Sequence, residues 1–207
     1  VFVPPAAEMY PPNYRTIVEP TGSLAERLEG KLHPTYYRGI ATAMTQLFHL
    51  VRPNQVYIGQ KDAQQVAVLA RMIEDLHFPL SLRVLPILRE ADGLAMSSRN
   101  AHLTPEQRAA ASVLFHALKA GRQVFDSHPL EGAKAVVKAM TAVVAGEKRA
   151  KLAYADVCDP HTFEPLAAPL RSPALLAIAA RFGEVHLTDN FLLPKTGTWE
   201  VGIRVPA

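Results

Sequence analysis

An α/β fold with a parallel sheet, followed by a small α+β domain, is the class this sequence predicts. Three observations carry it. Strand-length apolar runs at 55–58 and 80–88 flank a stretch, 62–76, in which Val66, Leu69, Ala70 and Ile73 recur at helical spacing. A second stretch, 37–51, places Ile40, Met44, Leu47, Phe48 and Val51 on one helical face ahead of them. With Val1-Phe2-Val3 taken as a first strand, the order is β-α-β-α-β, which implies parallel strands joined by right-handed crossovers. Beyond Leu88 the order changes to helices followed by several strands, the pattern of an α+β unit.

The elements follow in order. Residues 1–3 read as a strand that Pro4-Pro5 ends, and the weak alternation at 15–19 suggests another. Ser23 is placed to cap a short helix over 24–29, with Gly30 stopping it. Pro53 closes the helix over 37–51, and the strand at 55–58 runs into a tight turn and the helix over 62–76. Pro86 interrupts the strand at 80–88. Thr104-Pro105-Glu106 is a cap followed by proline at the first helical position. It opens a helix over 109–125, and a second helix spans 129–144. Strands are expected at 152–157, 174–180 and 184–187. The chain therefore divides into residues 1–87, residues 88–193 and a tail, 194–207.

Composition bounds the function. At 207 residues and 49% hydrophobic, the chain can bury one substantial core or two modest ones. One cysteine, Cys158, excludes an internal disulfide and a cysteine-rich zinc site, so a reduced cytoplasmic setting is the default. No apolar run approaches bilayer length, which argues against a membrane role. The net charge of +3 is mild and the cations are dispersed, which argues against nucleic acid.

The chemistry concentrates in two places. Gly59-Gln60-Lys61-Asp62-Ala63-Gln64-Gln65 sets a glycine, a cation, a carboxylate and amides at the carboxyl end of a strand, where open α/β sheets bind ligands. An ammonium beside a helix N-terminus adds a full charge to the partial positive charge already there. Met96-Ser97-Ser98-Arg99-Asn100 supplies hydroxyls and a guanidinium suited to a polyphosphate. Together they predict a nucleotide held between a sheet edge and a loop. Gly93 is expected to give that loop freedom to close. The histidines lack metal-ligand spacing, and no protein metal site is expected.

These two segments resemble the second half of the pantoate–β-alanine ligase (pantothenate synthetase) family, within the HIGH-motif nucleotidyltransferases. The family pattern is Gly-Glu-Lys-Asp-x-Gln-Gln, followed by a Ser-Ser-Arg-Asn loop. The stretch from Arg89 to Asn100 fits closely, and Val1-Phe2-Val3-Pro4-Pro5, Met9-Tyr10-Pro11 and Leu187-Thr188-Asp189-Asn190 extend the likeness over most of the chain. The resemblance makes residues 1–87 the second half of a Rossmann-like nucleotide-binding domain. It implies ATP-dependent condensation of pantoate with β-alanine through a pantoyl adenylate. ATP with Mg²⁺ enters as substrate, there is no tightly bound cofactor, and the habit is homodimeric.

The same resemblance assigns roles. Gly59, Gln60, Lys61, Asp62, Leu88, Met96, Ser97, Ser98 and Arg99 would bind ATP, with Lys61, Ser97, Ser98 and Arg99 acting on the phosphates. Gln65 would bind pantoate. Three departures stand out: Gln60 replaces the family glutamate, His33 and Tyr36 replace an arginine and a histidine, and the family's His-x-Gly-His motif occurs nowhere in the 207 residues. The absence points to an incomplete, inactive portion of the enzyme. A nucleotide-binding or assembly module without catalysis, and another nucleotidyltransferase of the superfamily, are the alternatives.

Overall fold

The computed structural model describes residues 1–205. Its first part comprises α1 (Ala6–Met9), α2 (Ser23–Glu26), α3 (Leu28–Leu32), α4 (Tyr36–Val51), β1 (Gln55–Gly59), a 3₁₀ turn at Gln60–Asp62, α5 (Ala63–Asp75) and β2 (Ser81–Leu85). β1 and β2 pair in parallel, from Gln55 opposite Ser81 to Gly59 opposite Leu85, with α5 as their crossover. The parallel arrangement expected from the β-α-β order is therefore present in two strands.

Other local readings need correction. Residues 1–3 form no strand: Val1, Phe2 and Val3 are exposed, with no strand paired to them. Residues 15–19 form none either, because the Thr42 side chain takes the place of a neighbouring strand. Its Oγ1 accepts from the Val18 amide at 3.0 Å and donates to the Val18 carbonyl at 3.3 Å. The helix expected over 24–29 is two short helices broken at Arg27, and Gly30 lies inside the second. A Cβ on Gly30 would sit 1.7 Å from the Ala25 carbonyl oxygen, so glycine permits the contact between the two turns. The buried side of α5 is Gln64, Ala67, Val68, Leu69 and Met72, and Ala70 is exposed. On α4, Tyr37, Ala41 and Phe48 are buried, whereas Val51 is exposed. Phe48, Ala41, Leu69 and Met72 form a core between α4, α5 and the β1–β2 pair.

Past Pro86 the chain forms β3 (Leu88–Arg89), a 3₁₀ turn at Ser98–His102, α6 (Pro105–Ala111), α7 (Val113–Ser127), α8 (Gly132–Ala145), β4 (Lys151–Cys158), β5 (Ala174–Phe182), β6 (Val185–Leu193) and β7 (Ile203–Arg204). Thr104 caps α6 in a full capping box with Gln107. The single helix expected over 109–125 is split at Ser112, whose hydroxyl bonds back to the Ala109 carbonyl at 3.2 Å.

β4, β5 and β6 form an antiparallel sheet with β5 central. Gly183, at φ +62°, lets the β5–β6 hairpin close in two residues. β5 is buried on both faces. Ala174, Leu176, Ile178, Ala180 and Phe182 meet the main core with α7 and α8, while Leu175 and Ala177 meet Leu28 and Ala67 of the first part. The tail is not loose: β7 pairs in parallel with β3, and Trp199 meets Phe125 edge to face, with ring centroids 5.1 Å apart. Among the described residues, no helix is long and apolar enough to cross a membrane.

Candidate active site

The Lys61 turn is held from β6. β1 ends at Gly59 and the chain passes through the 3₁₀ turn Gln60–Asp62 into α5, and the Gln60 and Lys61 carbonyls of that turn accept from β6. The Asn190 side chain donates to both, at 3.0 Å each. Gln60 is buried and donates back to Asn190 Oδ1 at 3.3 Å. This grip directs Lys61 toward the sheet, where Nζ donates to Thr188 Oγ1 at 3.2 Å. Burial lowers the Lys61 pKa, and Arg99 adds to that, while Asp62 and Asp189 act in the opposite direction. A half-desolvated ammonium of this kind gains from an arriving anion.

Around Lys61 lies a cleft lined by Glu29 of α3, Tyr36 and Tyr37 of α4, Asp62 and Gln65 at the start of α5, Arg99 from the serine loop, Tyr154 of β4, and Thr188, Asp189 and Asn190 of β6. It encloses about 40 Å³, room for a few water-sized groups. Glu29 Oε1 is 2.8 Å from His186 Nε2. Burial raises the Glu29 pKa, but the His186 hydrogen bond and charge outweigh it and hold the carboxyl below its ordinary range. Burial also pushes the Tyr37 and Tyr154 phenols up, so both stay protonated donors.

The second segment approaches from another direction. The Met96 amide donates to the Leu88 carbonyl at 2.8 Å, which lays 94–96 beside β3. Ser97 Oγ accepts from the Arg99 amide at 3.3 Å and caps the 3₁₀ turn Ser98–His102. Gly93 is not a hinge. Its φ is +95°, and a Cβ there would lie 2.3 Å from Phe115 Cδ1, so the glycine fixes a tight turn against a ring.

Lys61, Asp62, Gln65 and Arg99, singled out from the sequence, thus share one cleft. Gly59, Leu88, Met96, Ser97 and Ser98 do not line it, and Gln60 faces away into the Asn190 contact. Asp62 begins α5 but makes no side-chain cap bond. Gly59 has ordinary extended backbone (φ −75°), and nothing lies within 4 Å of a Cβ placed on it, so neither conformation nor packing requires glycine there. Arg38 turns toward Glu19, 3.6 Å away, and does not line the cleft.

Several residues were missed. Gln64, beside the chosen Gln65, is the buried one, bonded to the Leu24 and Arg27 carbonyls at 2.9 Å. Glu29 and His186 lie far in sequence from either motif and spacing gives no signal for them, while Thr188 and Asn190 were recognised only as part of the final strand's likeness and given no role at the site. A second, larger apolar groove of about 630 Å³ lies between α5, β2 and Leu175, Leu192 and Pro194.

Comparison with known proteins decides the family. The family model for pantoate-beta-alanine ligase matches residues 1–192. The chain belongs to the pantoate-beta-alanine ligase family. It is accordingly a ligase. Among relatives of this family, the pantothenate synthetase of Chloroflexus aggregans is 43% identical over 194 residues, covering 93% of this chain and 69% of that protein. The Chloroflexus aurantiacus pantothenate synthetase is 44% identical over 200 residues, covering 95% and 69%. The fold agrees: the crystal structure of pantothenate synthetase from Thermus thermophilus superposes with a TM-score of 0.85 at 36% identity, over 97% of this chain and 68% of that one. A Francisella tularensis pantoate-beta-alanine ligase, crystallised with beta-gamma ATP and beta-alanine, gives 0.64 at 26% identity, over 90% and 61%.

Proposed function

We propose that this pantoate–β-alanine ligase site works through ATP and a pantoyl adenylate. The observation that carries the reading is the convergence of Lys61 and Arg99, from segments distant in sequence, on one cleft. The pantoate carboxylate attacks the α-phosphate of ATP; an O–P bond forms and the bond to the β-phosphate breaks, releasing pyrophosphate. The β-alanine amine then attacks the acyl carbon, a C–N bond forms, and AMP leaves with the former carboxylate oxygen as the amine loses its proton. Lys61 meets the charge on the phosphate, and Arg99, with Ser97 and Ser98, swings over the β- and γ-phosphates. Gln65 takes pantoate, and Asp62, free of capping duty, takes the ribose hydroxyls. Gly59, Leu88 and Met96 border the nucleoside, and Gln60 serves as a strut to Asn190. Mg²⁺ arrives with ATP.

The small cleft implies an opening step. The serine loop is exposed at Ser98 and Arg99, and its outward movement widens the site for the nucleotide. The division at residue 87/88 and a cytoplasmic setting belong to the same reading. So does homodimerisation through the β1–β2 pair, where Tyr57, Val84 and Leu85 are exposed. Light scattering at moderate concentration should give twice the chain mass, and a monodisperse monomer refutes that part. The 207 residues contain no His-x-Gly-His, so the chain by itself is expected to make no pantothenate; product formation by the pure protein overturns that.

The central test is calorimetric titration with ATP. Wild type binds and Lys61→Ala, still folded, binds at least tenfold more weakly. Absence of nucleotide binding by folded wild type at millimolar ATP refutes the site and favours an assembly module.

A further inference from the structure

Arg89 and Asp189 are the most deeply buried charges near the site, each with a side chain about 1% exposed. Their pairing is bidentate, at 2.7 and 2.9 Å. The guanidinium also donates to the Gly93 carbonyl at 3.0 Å, to the Asn190 carbonyl at 3.4 Å and, through Nε, to the Val201 carbonyl. It is flanked by the Phe115 and Phe191 rings, at 4.9 and 5.3 Å from their centroids.

A fully buried ion pair adds little net stability over an apolar pair of the same volume, because desolvation offsets the attraction. What this pair supplies is geometry. One end of it touches β6 at Asp189 and at Asn190, whose side chain grips the Lys61 turn. The other end touches the Gly93 turn, which leads into Met96 and the serine loop. Arg108, which bonds Glu90 and Asp92 from the solvent side, holds that turn but reaches neither β6 nor Lys61. The Arg89 side chain bonds β6 and the Gly93 turn directly, and β6 in turn holds the Lys61 turn through Asn190.

We propose that Arg89 and Asp189 are positioning residues that set the Lys61 turn and the root of the serine loop in one fixed relation. The proposal rests on the reading of those segments as one ligand site, yet its first readout needs no ligand. Hydrogen exchange followed by mass spectrometry is compared in wild type, Asp189→Asn, and the doubly apolar Arg89→Met/Asp189→Leu. In both variants, amides at 60–62 and at 90–97 exchange at least tenfold faster, while β5 (Ala174–Phe182) keeps wild-type protection. Acceleration in one segment only, in neither, or across the whole protein in both variants overturns the proposal.

The second readout is ATP affinity, which falls at least tenfold in Asp189→Asn when measured below its own melting temperature, itself lowered because the buried Arg89 charge is left unpaired; unchanged affinity in a variant with both segments loosened also overturns it. Wild type that shows the expected exchange pattern but binds no ATP sinks the reading of the ligand and leaves the positioning role standing.

Discussion

A Cβ on Gly93 would strike the Phe115 ring, and the residue's φ lies in the left-handed region. Gly93→Ala is therefore expected to cost about 3 kcal/mol, combining the left-handed penalty with overpacking. Gly59→Ala should leave stability within about 0.5 kcal/mol and weaken ATP binding, since only an incoming ligand would meet the new methyl. Equal denaturation midpoints for both variants would contradict this contrast. Glu29 offers a test by pH. Burial raises its pKa and His186 more than reverses that, so the folded value is below the ordinary 4.5. A depressed carboxylate contributes stability that is present above its unfolded pKa and is lost as pH falls through the folded one. Urea midpoints of wild type should drop below pH 4.5, and Glu29→Gln should flatten that acid limb; parallel curves would dismiss the ion pair as a stabilising contact.

At the scale of elements, the sequence signals fared best where local chemistry is self-sufficient. The Thr104 cap closes with Gln107 in both directions, and its residues are neighbours in sequence. Thr104→Ala should lower stability by about 1 kcal/mol without changing nucleotide affinity, measured by thermal melting and titration. Strand readings failed at 1–3, an apolar run, and at 15–19, a weak alternation, because neither has a partner strand. A strand is a property of a pair, and Thr42, on a helix, satisfies the Val18 backbone in its place. On α5, periodicity located the helix but misjudged its face, because two surfaces compete for it: β1 and α4 on one side, and β5 through Ala67 on the other.

For the molecule as a whole, the tail changes meaning. Read from the sequence as an unassigned extension, it returns as β7, with the Ile203 and Val205 amides donating to the Ile87 and Arg89 carbonyls at 2.7 and 2.8 Å. Trp199 packs on Phe125 and donates to Asp126 at 2.9 Å. Ending the chain after Leu193 should cost about 3 kcal/mol, the loss of a half-buried tryptophan and several hydrogen bonds, and should expose Arg89. An unchanged melting temperature would show the tail to be dispensable. The sequence by itself determined the family, the parallel β1–α5–β2 unit, and the cation and guanidinium that face the cleft, because motifs and periodicity are local properties. The tertiary structure alone decided that Lys61 is gripped by Asn190, that Glu29 pairs with His186, and that one buried guanidinium joins β6, the Gly93 turn and the tail. Apart from the Arg89–Gly93 bond, those contacts span 100 or more residues in the chain. Hydrogen-bond satisfaction in a buried core depends on which groups the fold brings within about 3 Å of each other, and linear spacing carries no record of that.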